Sequence, residues 1–363
     1  MHGRKREQYK ALQRDPAVVS KLAAKAQQWH TLVREVLAED SPPQRQLALT
    51  EKMLFVNPDP LYLWNIRRRV LLSLQNEAEN DNKTTFLSNE LGLTQAALEN
   101  NPKAYGAWLH RKWVLSSSVM ISSSTDDTAL LENELQLIQM FLQKDERNFH
   151  GWNYRRFIVS LLLGDHPDDT NDNVEAFDAS QIVVTHKRVR APATTDRRHE
   201  ILQAEWDFTQ QKIQDNFSNY SAIHYRTRLF PWKLETTFDV ETLLTEEWSM
   251  ILNAVFTEPD DQTAWWYAQY LLRNGPRDQA FYPHLIQTQV IEPLRELLLE
   301  APESKWVPLG LYLLLDAFPD PRTREERQQC LATLQITDAD RKQRYEYLLR
   351  QLRAESLGDI STM

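Results

Sequence analysis

The side chains able to do covalent or metal chemistry are few in this sequence, and their spacing favours neither. Cys330 is the single cysteine among 363 residues, so no disulfide framework and no cysteine-cluster metal site can form within the chain. A lone cysteine also suits a reducing compartment. His199 opens HEILQ rather than the HExxH of a helical zinc site, and no Cys/His/Asp run has ligand spacing. The phosphate-cradling patterns GxGxxG and GxxxxGKS/T are missing. Asn82, Asn216 and Asn219 begin N-x-S/T sequons, but a cytosolic helical chain is not expected to be glycosylated. What does recur is a charged pair at a fixed separation: Glu90 and Arg111, Glu134 and Arg155, Glu205 and Arg226.

That recurrence belongs to a repeat. The segments NPDPLYLWNIR, NPKAYGAWLHR, DERNFHGWNYR, NFSNYSAIHYR and EPDDQTAWWYA align on Trp64, Trp108, Trp152, Ile223 and Trp265. With that position as zero, the successive intervals are 44, 44, 71 and 42 residues. Upstream columns align too. Position −18 holds Gln46, Glu90, Glu134, Glu205 and Glu247; position −17 holds Leu47, Leu91, Leu135, Trp206 and Trp248. Position −10 holds Leu54, Leu98, Leu142, Ile213 and Val255. Positions −17 and −10 lie two helical turns apart and share a face. Position −7 (Asn57, Asn101, Asp145, Asn216, Glu258) reads as a helix N-cap, with Asn57 and Asn101 each followed by proline at the first helical position. Positions −3, 0 and +3 share the face of a second helix, with Arg67, Arg111, Arg155 and Arg226 at +3. Each unit is therefore helix, tight turn, helix, and such hairpins bury their apolar stripes only by stacking.

Folding a unit about −7 places Glu at −18 near Arg at +3 of the same unit. Intra-unit ion pairs Glu90–Arg111, Glu134–Arg155 and Glu205–Arg226 are expected, with the end units excluded by Gln46 and Ala268. The long interval marks an insertion, 165–199, and the Ser-rich stretch 116–127 reads as a linker. Residues 276–363 supply further amphipathic helices. A single α-solenoid domain over 1–363 is expected, with those helices completing it.

Composition agrees. Eight glycines in 363 residues is about 2%, against ~7% in ordinary proteins, which disfavours nucleotide-binding sheets and turn-rich β folds. A net charge of −9 argues against a nucleic-acid binder. The opening MHGRKREQYK lacks the apolar core of a signal peptide, and the apolar run LGLYLLL at 309–315 is far short of the ~20 residues of a membrane span. A cytoplasmic protein is expected.

The pattern N-P-x-x-Y-x-x-W-x-x-R, with Glu-Leu eighteen residues upstream, resembles the protein prenyltransferase α-subunit repeat over about 44–270. The opening MHGRKRE and the tail LLLEAPESKWVPLGLYLLLDAF and ITDADRKQRYEYLLRQL resemble the α subunits of Rab geranylgeranyltransferases. The resemblance implies an all-α fold, a right-handed α–α superhelix (solenoid) of helical hairpins. It also implies an accessory subunit of a heterodimer that transfers geranylgeranyl from its diphosphate to C-terminal cysteines of Rab GTPases. A β subunit would hold the zinc and most of the lipid pocket, and a Rab escort protein would present the substrate.

By the same resemblance, Lys103 and Tyr105 in NPKAYGAW and His150 in RNFHGW match residues directed at the isoprenoid diphosphate. Ammonium, phenol and imidazole can each donate hydrogen bonds to leaving-group oxygens. Structural roles compete: Lys103 as a solvated charge after a helix cap, Tyr105 as core. His2 is a remoter candidate, as a ligand to the partner's zinc. Two other readings stay open: the α subunit shared by farnesyltransferase and geranylgeranyltransferase type I, and a non-enzymatic tetratricopeptide-like scaffold.

Overall fold

The computed structural model of the protein describes residues 16–38, 40–75, 80–116, 125–163 and 194–360. His2, linker residues 117–124 and residues 165–193 of the expected insertion lie outside them. Residues 195–199, assigned above to the insertion, instead form the first turn of a helix. Among the described residues every regular element is helical, in keeping with the expected all-α class. The chain divides into two compact units, Met1–Thr195 and Asp196–Met363.

In the first unit, α1 (Pro16–Leu37) precedes a series of hairpins. These are α2 (Pro43–Val56) with α3 (Leu61–Gln75), α4 (Asn80–Asn100) with α5 (Tyr105–Ser116), and α6 (Thr125–Lys144) with α7 (Phe149–Leu163). The second helices form a row, α3 against α5 and α5 against α7. The apolar columns meet as their spacing demands: Leu54, Leu98 and Leu142 are fully buried, and so nearly are Trp64, Trp108 and Trp152. Fully burying a large apolar side chain is worth about 1.5–3 kcal/mol, so these columns carry the stacking.

The turn differs from the N-cap reading of position −7. The second helices start at −3, with Leu61, Tyr105 and Phe149. The residue at −7 instead closes the first helix: the N–H of Asn57, Asn101 and Asp145 donates to the carbonyl four residues back. The side-chain oxygens of Asn57 and Asn101 then accept from Asp59 and Lys103, each at 3.1 Å. Pro58 and Pro102 thus occupy the turn, where a fixed φ helps and the missing N–H is not needed. Capping of the second helix falls to −4, where Asn148 accepts from the N–H of His150 and Gly151.

Each tryptophan then locks its own turn. The indole N–H of Trp64 and Trp108 donates to the carbonyl of Pro58 and Pro102 at 2.9 Å, and that of Trp152 to Glu146 at 2.8 Å. A buried indole must place its N–H on an acceptor, and the carbonyl at −6 is within reach. At Gly106 the backbone of α5 lies directly on Trp64. A Cβ there would come within 2.5 Å of the indole, so only glycine fits this approach.

The ion pairs form between repeats, not within them. Arg67 binds Glu90 at 2.7 Å and Arg111 binds Glu134 at 2.6 Å, all four residues buried. Arg111 is therefore not the partner of Glu90, and the first repeat is not left out. The cause is the turn: its centre lies in 101–104 rather than at −7. Arg111 and Thr94 are equidistant from that centre, and Arg111 Nη1 donates to the Thr94 hydroxyl at 2.8 Å and to the Leu91 carbonyl at 2.6 Å. Arg67 repeats this with Thr50 at 3.2 Å and the Leu47 carbonyl at 2.8 Å. Each arginine thus clamps its own first helix with one nitrogen and the next repeat's glutamate with another. A guanidinium fork suits such divided use.

The tie within a repeat is made one residue earlier, at +2. His110 Nε2 lies 2.8 Å from Glu90, and the Tyr154 hydroxyl donates to Glu134 at 2.6 Å. The first repeat has Ile66 at +2 and Gln46 at −18, so donor and acceptor are missing together.

The second unit reuses these rules. Here α8 (Thr195–Asp215) pairs with α9 (Tyr220–Thr236), and α10 (Val240–Thr257) with α11 (Gln262–Asn274). Arg226 binds Glu247, the hydroxyl of Thr209 and the carbonyl of Trp206. It therefore does not pair with Glu205 as expected. The Tyr267 hydroxyl donates to Glu247, and Asn219 and Asp261 cap at −4. Beyond the repeats, Phe281–Glu300 is one helical run: α12 (Phe281–Leu285), a π-helical stretch Ile286–Ile291, and α13 (Glu292–Glu300). The widened turns directly precede Pro293, whose missing N–H and bulky ring interrupt the α ladder. Then follow α14 (Trp306–Ala317), α15 (Arg324–Thr337) and α16 (Lys342–Ile360).

Candidate functional site

The candidate side chains come from the turns that open α5 and α7. Lys103 follows the Asn101 turn, Tyr105 is the first residue of α5, and His150 is the second residue of α7. Because α5 and α7 pack side by side, Tyr105 and His150 meet, with ring centroids 5.6 Å apart. The Phe149 ring also lies against the imidazole, tilted, with centroids 4.0 Å apart. Tyr105 remains 41% exposed and Phe149 is exposed beside it, so the pair forms an open aromatic edge.

Lys103 stands next to this edge but spends its charge locally. Its ammonium lies 3.5 Å from Asp145, with 65% of the side chain exposed. The same turn-to-turn rung joins Asp59 to Asn101 in the preceding repeats, at 2.9 Å. Lys103 therefore has a structural partner at the place where an anion would compete for it. Exposed ion pairs of this kind are worth at most about 1 kcal/mol, so the ammonium is readily redirected.

His150 is half-buried, and burial, followed by the ammonium of Lys112, holds its imidazole below the ordinary histidine range. It is thus set as a neutral ring, able to donate one hydrogen bond. Lysine, tyrosine and histidine all come from these two neighbouring hairpin turns, and all three are donors suited to anionic oxygen.

Two networks escaped the sequence reading. The +2 column of His110, Tyr154 and Tyr267 was open to inspection, and so was threonine at −14. Neither stands out without knowing which faces touch. Lys112 also went unnoticed, since lysine on a helix is ordinarily a solvated charge.

A zinc ion, implied by the resemblance, finds no fitting donor set here. Among the described residues no group of three or more His, Cys, Asp or Glu side chains is placed to hold a metal. Cys330 is buried, and burial pushes its thiol up to about 12, where it is inert as a thiolate ligand. Among the described residues no helix is long and apolar enough to cross a membrane.

Comparison with known proteins agrees with the repeat. Residues 87–118 and 131–162 match the family described as "Protein prenyltransferase alpha subunit repeat". The Saccharomyces cerevisiae protein named geranylgeranyl transferase type-2 subunit alpha is 32% identical over 166 residues, covering 40% of this chain and 49% of that protein. The Schizosaccharomyces pombe protein of the same name is 31% identical over 122 residues, 29% of this chain and 36% of that one. The Homo sapiens protein of that name is 43% identical over 82 residues, 20% and 14% respectively. The chain thus spans about half the length, or less, of these relatives. Among solved structures, Candida albicans protein geranylgeranyltransferase-I complexed with GGPP aligns over 89% of this chain and 88% of that chain, with a TM-score of 0.55 and 18% identity, a likeness of fold. Two successive hairpins, those that include the Tyr105–His150 edge, therefore match the protein prenyltransferase alpha subunit repeat.

Proposed function

We propose that the chain is the alpha subunit of a heterodimeric geranylgeranyltransferase type 2, a cytoplasmic enzyme. In this reading a geranylgeranyl group passes from its diphosphate to C-terminal cysteines of Rab GTPases. The bond between the isoprenoid carbon and the diphosphate oxygen breaks, a carbon–sulfur bond forms, and the thiol proton is lost. The beta subunit supplies zinc, which makes the thiolate available, and most of the lipid pocket; a Rab escort protein presents the acceptor.

This chain contributes donors for the departing diphosphate. Lys103 turns from Asp145 toward it, and Tyr105 and His150 donate to its oxygens. Charge grows on those oxygens as the bond breaks, so fixed donors stabilise the transition state more than the ground state. The observation that carries the reading is the 32% identity over 166 residues to the yeast alpha subunit, and the paired donors on the matched hairpins support it.

The test is co-expression with a cognate beta chain, followed by transfer assays. Transfer to a Rab ending in cysteines is expected, with Lys103→Ala and His150→Ala each lowering turnover roughly tenfold while the heterodimer stays intact. Transfer only to CaaX peptides would reassign the chain to the farnesyl/type I enzymes. A stable monomer that ignores every beta subunit would make it a scaffold.

A further inference from the structure

We propose that Arg68 is a carboxylate-binding site in the groove between α3 and α5. The case begins with its relatives in the repeat. Arg67, Arg111 and Arg226 each turn the Nε–Nη2 side of the guanidinium onto both oxygens of a glutamate, Glu90, Glu134 and Glu247 respectively. Their Nη1 goes to a carbonyl and a threonine hydroxyl. No nitrogen of these three groups lacks an acceptor.

Arg68, the next residue on α3, meets a different surface. Its Nε donates to Nδ1 of His110 at 3.4 Å, and its guanidinium carbon lies 5.6 Å from the centroid of the Trp113 ring. A ring nitrogen offers one lone pair and cannot also serve Nη2. Nη2 is accordingly enclosed without an acceptor, and among the described residues no carboxylate pairs with the group.

A charge is left over as well. Glu90 is matched by Arg67 at 2.7 Å. His110 accepts from Arg68 at Nδ1, so its proton sits on Nε2, 2.8 Å from Glu90, and the ring is neutral. Arg68 is thus one positive charge in excess. Burial, with no counter-charge to oppose it, lowers its guanidinium to about 10, which leaves it protonated at neutral pH. A cation taken out of water without a partner is costly, and a counter-ion removes that cost.

The side chain is half-buried rather than sealed, so a ligand can approach the Nη1–Nη2 end while Nε stays on His110. The Trp113 face attracts the cation without consuming an N–H. A carboxylate matches that end: it is planar, brings two oxygens to two nitrogens and carries the single charge that is missing. The acceptor arrives as an acidic side chain of a partner subunit or as a free small carboxylate, and the chemistry is the same for both.

The experiment replaces chloride by acetate at constant ionic strength in the full chain and follows the thermal midpoint. A ligand of the folded state raises the midpoint saturably. Wild type is expected to show that rise, with half-saturation about tenfold higher or more in Arg68→Met and in Arg68→Lys, which keeps the charge without the fork. Arg68→Lys carries the test should Arg68→Met lose cooperative unfolding. A wild-type response in either variant, or no saturable rise in wild type, would overturn the proposal. Repeating the titration on the heterodimer separates the sources. A rise that disappears once the beta subunit is bound assigns the carboxylate to that subunit, and a rise that persists assigns it to a free ligand. The acetate response does not depend on prenyl transfer, so failure of the transfer assay would overturn the reading above and leave this site standing.

Discussion

The first two junctions of the repeat array follow one plan and differ in one side chain. Between the first and second hairpins, Glu90 takes Arg67 from one side and His110 from the other; between the second and third, Glu134 takes Arg111 and Tyr154. The arginine, glutamate and carbonyl contacts superpose in kind. Only the +2 donor changes, from imidazole to phenol. Burial pushes the Tyr154 phenol well above its ordinary range, so it keeps its proton at any workable pH. Burial lowers His110 to about 4, opposed by Glu90, and Arg68 donates to its other nitrogen. Glu90 is also lowered: burial would raise it, but the bonds from His110 and Arg67 prevail. The same lattice is therefore insensitive to pH at one junction and sensitive at the next.

The largest effect should come from removing a carboxylate from the shared plan. Glu134→Ala leaves Arg111 buried without its counter-charge and should cost about 3–5 kcal/mol, read from urea denaturation. If Glu90→Ala costs far less, the two junctions do not share one energetic design. The next effect separates them by pH. Below about 6.5 the unfolded chain protonates His110, whereas the folded protein does not until about 4. The unfolded state then binds more protons, so stability falls as pH drops through that window, by about 3 kcal/mol. His110→Gln keeps a donor toward Glu90 and should flatten the slope; a slope that persists places the sensitivity elsewhere.

Smaller still is the phenol itself. Tyr154→Phe removes one hydrogen bond to a buried carboxylate and should cost about 1.5–3 kcal/mol, with no new dependence on pH between 4 and 6.5, checked by denaturation at both ends of that range. At the exposed edge the expected change is least. Lys103→Ala breaks a solvated pair with Asp145 and should shift stability by less than about 1 kcal/mol. A larger loss on thermal unfolding would make Lys103 a structural residue first.

Much of this was legible in the sequence because periodic burial writes itself into residue type. The tryptophan column, the apolar positions −17 and −10 and the shortage of glycine fixed helical hairpins and their stacking. Six of eleven tryptophans lie in register at 0 or −17. The donors Lys103, Tyr105 and His150 were also readable, through resemblance and side-chain chemistry. The pairing of charges was not. A turn centred a residue and a half later than expected moved Arg111 from Glu90 to Thr94, and stacking then offered it Glu134 from the next hairpin.

Sequence alone thus determined which residues are buried, charged or able to donate, since those follow from composition along one helix. Tertiary structure decided which of them meet. A charged side chain reaches whatever the neighbouring helix presents, and that depends on turn geometry and on packing between hairpins. Arg111 is the clearest case: expected beside Glu90 of its own hairpin, it binds Glu134 of the next once the hairpins stack.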